Sequence, residues 1–329
     1  MKKRLFPLTF AIVISLLFCL ALSPAHSSER EDTPAEKPLP TFGVMSDVHV
    51  VSRWEPPHVD GALKFAHALR DLRHFHPDFE VVNGDLTTTG SPQAMSLARQ
   101  IADDHAGTPV YVTMGNHEYY QTWIDPKWSD ESAKDAFRRT FDLPGLYYEK
   151  WVRGVHLIFL SPEQYSVKQK QIGEAAWLSD AQLAWFKKTL RSAPDAPTFV
   201  FLHQPLDGTV GKTDLGVSAV QTRELLRIAS LHPRLVWFSG HSHVSAREKT
   251  EHIVKNGVHF FGLGSVYEPV ALSTKPAPGA QKRGDGVYMV AHGEWSESRF
   301  VEVYRDRIVV KTRLHQDGTW AEHVEIPLR

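Results

Sequence analysis

Val81-Val82-Asn83-Gly84-Asp85, followed by Leu86-Thr87-Thr88-Thr89-Gly90, is an apolar strand that runs into a glycine and delivers one carboxylate at its end. Asp85 is a candidate bridging ligand for two metal ions, and the other strong signals along the chain are candidate ligands of the same pair. Thr41–Ser46 is a short apolar run that stops at Asp47-Val48-His49, and Pro109–Met114 stops at Gly115-Asn116-His117-Glu118. Thr198–Leu202 stops at His203, and Leu235–Phe238 leads into Gly240-His241-Ser242-His243. Each time an apolar strand ends in a turn carrying a ligand-type residue, and in open α/β sheets sites form outside the carboxyl ends of strands. A lone Asp-x-His reads better as a turn aspartate beside a surface histidine; five strands with the same ending do not. Asp47 and His49 are expected on one side of their strand, because side chains alternate with period two.

Between these strands the spacing predicts helices. Apolar residues recur at helical intervals from Val59 to His76, and His67 and His74 on this helix read as surface or boundary residues. Ser91-Pro92 starts a helix through His105, with proline in the first turn. Ser179 or Asp180 caps another that runs to about Arg191, and a further helix is expected from about Val220 to Leu231. The Tyr119–Leu146 insertion carries Tyr119, Tyr120, Trp123 and Trp128 and a helix ending at Phe141. Its aromatics either wall the site or simply pack. From Val258 onward the runs Val258–Leu263, Val287–Ala291, Arg299–Tyr304, Arg307–Leu314 and Trp320–Ile326 predict a largely antiparallel sheet. His315 and His323 on it read as structural or solvated, and Lys275–Gly286 reads as a mobile loop.

The chain has 329 residues, long enough for one large α/β domain, and its 42% hydrophobic and 23% charged content is the make-up of a soluble globular protein. The formal net charge of −1 argues against a general nucleic-acid binder. Lys2-Lys3-Arg4, the apolar run Phe10–Leu22 and the small residues of Ser23–Ser27 read as a signal peptide over residues 1–27. Residues 28–40 read as a flexible leader and residues 41–329 as the functional domain. Cleavage sends the protein to the periplasm or outside the cell without a stable membrane partner. The alternative is an uncleaved N-terminal membrane anchor, since Leu5–Leu22 nearly reaches spanning length. Cleavage also removes Cys19, the one cysteine. A metal site in the exported protein then has only N and O ligands.

The candidates are therefore Asp47, His49, Asp85, Asn116, His117, His203, His241 and His243. Carboxylates, imidazoles and an amide without thiolates suit Mn, Fe, Co, Ni or Zn in a hydrolytic site. Two such ions about 3.5–4 Å apart lower the pKa of a shared water and clamp phosphoryl oxygens for in-line attack.

The five motifs, in this order over residues 41–243, resemble the signature motifs of the calcineurin-like metallophosphoesterases. The resemblance implies a four-layer α-β-β-α sandwich of two mixed sheets between helices, with the last three C-terminal strands filling the second sheet. It implies Asp47, His49, Asp85 and His243 on one divalent ion and Asp85, Asn116, His203 and His241 on the other. Asn116 and His117 would touch the phosphate, and His117 would act as general acid or as a fixed positive charge. The implied activity is hydrolysis of small-molecule phosphoesters by a metal-bridging hydroxide.

Departures bear on the branch. Protein phosphatases of this family carry Gly-Asp-x-Val-Asp-Arg-Gly where this chain has Gly84-Asp85-Leu86-Thr87-Thr88-Thr89-Gly90. Thr88 replaces the aspartate that would orient His117, and the tyrosine that purple acid phosphatases place there. The run is closest to the cyclic-nucleotide and glycerophosphodiester branch, so a phosphodiesterase is preferred to a phosphomonoesterase, with a non-catalytic metal-bound scaffold as the third reading. Specificity is expected in the loops Arg53–His58, Tyr119–Trp128, Gly208–Gly216 and Val266–Gly286.

Overall fold

Alternation within the central strands sets the layering. In the segment Thr198–Leu202, Phe199 and Phe201 enter one core while Val200 and Leu202 enter another. The same split separates Val236 and Phe238 from Leu235 and Trp237. Strands apolar on both faces have to be covered on both faces.

The computed structural model describes residues 38–52, 60–165, 172–211 and 217–328. The expected signal peptide, the leader up to residue 37 and the Arg53–His58 loop lie outside the described residues, as do residues 212–216 of the Gly208–Gly216 loop. The chain begins with β1 (Thr41–Met45), α1 (Asp60–Arg73), β2 (Phe79–Asn83), α2 (Pro92–His105), β3 (Val110–Thr113), α3 (Gln121–Ile124) and α4 (Asp130–Thr140). There follow β4 (Tyr148–Val152), β5 (Val155–Phe159), α5 (Asp180–Arg191), β6 (Thr198–Phe201), α6 (Thr222–Ala229) and β7 (Leu235–Ser239). Strands then dominate: β8 (His252–Lys255), β9 (Val258–Gly262), β10 (Val270–Ser273), β11 (Gln281–Lys282) and β12 (Tyr288–Ala291). The last three are β13 (Glu297–Val303), β14 (Arg307–Leu314) and β15 (Thr319–Pro327).

One six-stranded sheet has the order β15-β14-β13-β1-β2-β3 and the other β4-β5-β6-β7-β9-β8. Both are mixed: β1, β2 and β3 are parallel, as are β5, β6, β7 and β9, while the flanking pairs are antiparallel. A core of α1, α2 and α4 side chains covers one sheet, a second core fills the space between sheets, and a third lies under α5 and α6. The result is the four-layer α-β-β-α sandwich. Between the sheets, Phe159, Phe201, Phe238 and Phe261 fall in one row across four neighbouring strands. Their rings stack at centroid spacings of 5.0, 5.6 and 5.6 Å. Each fully buried ring contributes about 1.5–3 kcal/mol.

Helix starts follow their caps. Ser91 Oγ accepts the Ala94 N–H ahead of α2, and Ser179 rather than Asp180 caps α5 by accepting the Gln182 N–H. The Tyr119–Leu146 insertion holds two helices, α3 and α4, rather than one. The expectation that the last three C-terminal strands fill the second sheet is wrong. β13 pairs antiparallel with β1, and β14 and β15 follow it, so all three extend the first sheet. β1 would otherwise present an open edge, and Val301, Val303, Ile308 and Val310 close the inter-sheet core from that side. It is β9 that enters the second sheet, parallel to β7. Within Lys275–Gly286, β11 pairs with β12, and with β10 they form a separate small sheet.

Candidate metal centre

β1, β2 and β3 of one sheet and β6 and β7 of the other release their chains into loops that meet at a single point. Three groups of ligand-type side chains converge there, with ligand atoms within 4.8 Å of one another in each: Asp47, His49 and His243; Asp85, His203 and His241; and His49, Asp85 and His117. In the first, His243 Nε2 lies 3.1 Å from Asp47 Oδ1 and 3.1 Å from His49 Nε2. In the second, His203 Nε2 lies 3.1 Å from Asp85 Oδ2 and 3.8 Å from Asp47 Oδ1. All eight residues singled out in the sequence are at this point or, for Asn116, directly beside Asp85 and His117 in the loop after β3.

The ring nitrogens are committed in a way that suits a cation. His203 Nδ1 meets the Asn83 carbonyl at 2.8 Å and His243 Nδ1 meets the Glu268 carbonyl at 2.9 Å. A carbonyl only accepts, so Nδ1 carries the hydrogen and Nε2 of each neutral ring carries a lone pair. These lone pairs then face carboxylate oxygens, an arrangement of acceptors that a positive ion resolves. Metal-binding histidines typically donate their other N–H in this manner. Asn116 Oδ1 and His203 Nε2 are buried and lack a well-directed hydrogen-bond partner among the described residues. Donor set, tautomers and orphaned atoms all fit divalent ions.

The loops are unusual in their backbone. Asp47, His49, Asp85, His241 and His243 all have φ between 49° and 69°, the left-handed region. Each such non-glycine residue costs on the order of 1–2 kcal/mol, and such strain concentrates at functional sites. Asp47 and His49 thus lie past the end of β1, and period-two alternation is not what brings them together. A left-handed residue on either side of Val48 does so, held by the His49 N–H on the Asp85 carbonyl at 3.0 Å and the Asp47 N–H on the Gly84 carbonyl at 3.2 Å. The Asp47 carboxylate in turn accepts the His241 N–H at 3.0 and 3.1 Å. Close approach explains two motif glycines: a Cβ at Gly115 would strike Asp85 Oδ1, and one at Gly240 would strike Ser46 Oγ.

Burial and neighbours set the charges. Burial disfavours the Asp47 carboxylate, but His243 and His203 outweigh it and lower its pKa to about 2. Burial likewise opposes charge on His203, yet Asp85 and Asp47 raise that ring to about 10, so the neutral, ligating form of His203 is the one a bound ion would produce by displacing the Nε2 proton. Burial, together with neighbouring imidazoles, depresses His49 and His241 to about 3. The field of the two carboxylates therefore favours a cation between the rings, while His49 and His241 stay neutral and able to ligate.

The sequence left open what orients His117. Its Nδ1 lies 2.8 Å from the backbone carbonyl of Thr88, so the main chain replaces the missing aspartate. Its Nε2 points inward, 3.9 Å from Asp85 Oδ2, and the Tyr120 ring packs on it at 4.0 Å. Three supporting residues had no role in the sequence reading. Glu118, fully buried, accepts N–H groups of Gly115 and Asp85 on one oxygen and of Thr87 on the other, at 2.8–3.0 Å. It belongs to the Gly115–Glu118 motif, and that adjacency was the available signal. Asn83 Nδ2 donates to the Leu202 and Phe238 carbonyls at 3.3 and 3.1 Å, tying one sheet to the other beneath the site. Glu174 accepts from Asn116 Nδ2 at 2.9 Å, and nothing local to it in sequence marks it.

Known proteins share this fold and part of this sequence. A segment of 181 residues is 27% identical to glycerophosphodiester phosphodiesterase GpdQ of Enterobacter lignolyticus (strain SCF1). The match takes in 53% of this chain and spans 59% of that enzyme's length. Among solved structures, a dimetal phosphatase from Danio rerio superposes with a TM-score of 0.61 at 15% identity, covering 89% of this chain and all of that one. A purple acid phosphatase from yellow lupin (Lupinus luteus) seeds superposes with a TM-score of 0.58 at 12% identity, covering 89% of this chain and 54% of that one. At such identities the structures share the fold. The family model for calcineurin-like phosphoesterases matches residues 40–245. That segment is more than half of the chain and contains all eight candidate residues of the cluster, and the chain belongs to the calcineurin-like phosphoesterase family.

Proposed function

We propose that the protein is a metal-dependent phosphoester hydrolase holding two divalent ions. Asp47, His49, Asp85 and His243 hold one ion, and Asp85, Asn116, His203 and His241 hold the other. The observation that carries this reading is the pair of ligand groups meeting at the two buried aspartates, with His117 aimed between them. When bound, the ions neutralise phosphoryl charge and acidify a water.

The chain's own residues supply position and protons. Asp85 is fixed by the His117 N–H on Oδ1 at 3.0 Å, which leaves Oδ2 toward His203. His117 keeps Nδ1–H on the Thr88 carbonyl, so Nε2 is the atom free to hold a proton. In its protonated form it presents Nε2–H to the oxygen that leaves phosphorus. Tyr120 on one side and Tyr267, 5.6 Å from the His49 ring, on the other line the approach to the ions.

The substrate is a small-molecule phosphoester, and a diester is favoured over a monoester. The named activity of the glycerophosphodiester phosphodiesterase relative and the Gly84–Gly90 run support that preference. Hydrolysis of bis-p-nitrophenyl phosphate and p-nitrophenyl phosphate with added Mn²⁺ or Ni²⁺ tests both levels. Faster diester turnover is expected; faster monoester turnover overturns the diester preference, and no turnover by protein carrying two ions overturns the enzyme. The protein is exported, on the support of Lys2–Arg4, Phe10–Leu22 and the small residues that follow. Edman sequencing of expressed protein tests this, and a mature N-terminus upstream of Ala25 contradicts cleavage at the expected site.

A further inference from the structure

An amide ligand has an ambiguity that a carboxylate lacks. Its oxygen ligates metals and its NH₂ does not, yet the two ends are nearly the same size. The surroundings must therefore select which end faces the ion. In this protein both hydrogens of Asn116 Nδ2 are taken, one by Glu174 Oε2 at 2.9 Å and one by the Tyr120 hydroxyl at 3.1 Å. Asn116 Oδ1 is buried and has no hydrogen-bond partner among the described residues. Flipping the amide would set Oδ1 against the Glu174 carboxylate, acceptor against acceptor.

Glu174 is itself held. The Tyr120 hydroxyl donates to Oε2 at 2.9 Å and the Tyr165 hydroxyl donates to Oε1 at 2.8 Å. The donors balance: Tyr120 gives its one hydrogen to Glu174 and accepts one from Asn116, closing a triangle. The Gln204 side chain, next to His203, donates to the Glu174 backbone carbonyl at 3.2 Å. The segment bearing Glu174 is thereby tied to the loop that supplies another ligand of the same ion.

We propose that Glu174 is a positioning residue for the second ion: it turns the Asn116 amide oxygen inward and so sets the affinity of the Asp85–Asn116–His203–His241 site without touching the metal. The assignment rests on the two-ion reading above. The ion held by Asp47, His49, Asp85 and His243 contains no ligand that Glu174 touches, and its affinity is independent of Glu174. The half-buried carboxylate adds negative charge on the side of the second ion, which works in the same direction.

The test is calorimetric titration of metal-free protein with Mn²⁺, for the unaltered chain, Glu174→Ala, Glu174→Gln and Asn116→Ala. Glu174→Ala is expected to weaken the second ion by about 10–100-fold, the usual effect of losing such a partner, and to leave the first within about threefold. Asn116→Ala is expected to weaken the same ion at least as much. Activity of Glu174→Ala lost at limiting Mn²⁺ is expected to return at saturating Mn²⁺, which a packing defect would not allow. Should Glu174→Ala fail to fold, Tyr165→Phe removes one anchor of the carboxylate and is expected to weaken the second ion roughly threefold. Unchanged second-ion affinity on altering Glu174 or its anchor, with Asn116→Ala still weakening it, overturns the role of Glu174 and leaves the two-ion reading standing. Unchanged affinity in Asn116→Ala as well, or a single ion in the unaltered chain, overturns both.

Discussion

Asn83→Leu tests how the two halves of the site are joined. Asn83 sits fully buried at the end of β2, and its side chain makes three hydrogen bonds: Nδ2 to the Leu202 and Phe238 carbonyls, and Oδ1 from Thr113 Oγ1 at 2.9 Å. Leucine has nearly the same shape and makes none. Three neutral buried hydrogen bonds contribute about 3 kcal/mol net at the usual 1 kcal/mol each. Stranding their partners without water adds to the loss, and the extra apolar burial of leucine returns about 1 kcal/mol. The expected destabilisation is therefore about 2–3 kcal/mol. For a domain of this size that is a drop in Tm of roughly 3–5 °C. Thermal and urea unfolding should be measured in chelator, so that metal binding does not add its own stabilisation. The ligands themselves should be little disturbed, because it is the Asn83 backbone carbonyl that holds His203 and Ser46; two-ion stoichiometry should survive. A double-mutant cycle sharpens the point: Thr113→Val should cost about 1 kcal/mol in the unaltered chain and close to nothing beside Leu at position 83. Equal cost in both backgrounds, or an Asn83→Leu protein as stable as the parent, refutes the tie between the sheets.

Other outcomes follow from the same contacts. Because a main-chain carbonyl holds His117, Thr88→Ala should change kcat by less than about threefold, whereas His117→Asn should keep both ions and lose about 10²–10⁴ in kcat; steady-state kinetics beside metal analysis separates the two. Asp71 is held below its ordinary carboxylate range: burial works the other way, but hydrogen bonds from Arg313 at 2.6 and 2.7 Å and from His315 at 2.7 Å prevail. Its folded pKa lies below its unfolded value of about 3.8, so its stabilisation is present above that pH and is lost as pH falls below it. Asp71→Asn should flatten the acid limb of stability against pH by on the order of 1 kcal/mol, after allowance for solvent screening; an unchanged acid limb would show that the cluster contributes nothing. Phe201→Ala, which interrupts the stacked row between the sheets, should cost about 3–5 kcal/mol by chemical denaturation; a loss below about 1 kcal/mol would mean the row is not a unit.

The candidate ligands were legible because their signal is local. A strand such as Val81–Asn83 followed at once by glycine and aspartate states, within a few residues, both where the chain is buried and where it turns. Repeated five times, that grammar carried the resemblance to the family, and the resemblance implied the layering; two-faced apolar strands such as β6 and β7, which need cover on both sides, are its physical reason. The helix caps at Ser91 and Ser179 were local in the same sense. What failed was not local. Arg299–Tyr304, Arg307–Leu314 and Trp320–Ile326 read correctly as strands but were assigned to the wrong sheet, because alternation records that a strand has a buried face and not which edge it pairs with. The Asp47–His49 pair was identified from a periodicity that ends before it; two left-handed residues bring it together, and their strain is held by backbone contacts to the loop after β2.

The site's chemistry divides along the same line. Residue types and order were enough to nominate eight side chains and a class of metal, because ligand chemistry resides in the side chain. Only the folded chain could supply the Thr88 carbonyl behind His117, the Asn83 bridge to β6 and β7, and the Glu174 carboxylate behind Asn116. Those contacts join residues 29 to 155 positions apart. Each depends on sheet order, register and the direction of an amide or carbonyl, and a backbone carbonyl is the same in every residue. Such groups leave no mark in a sequence, and three-dimensional packing alone decides which of them support the ligand cluster.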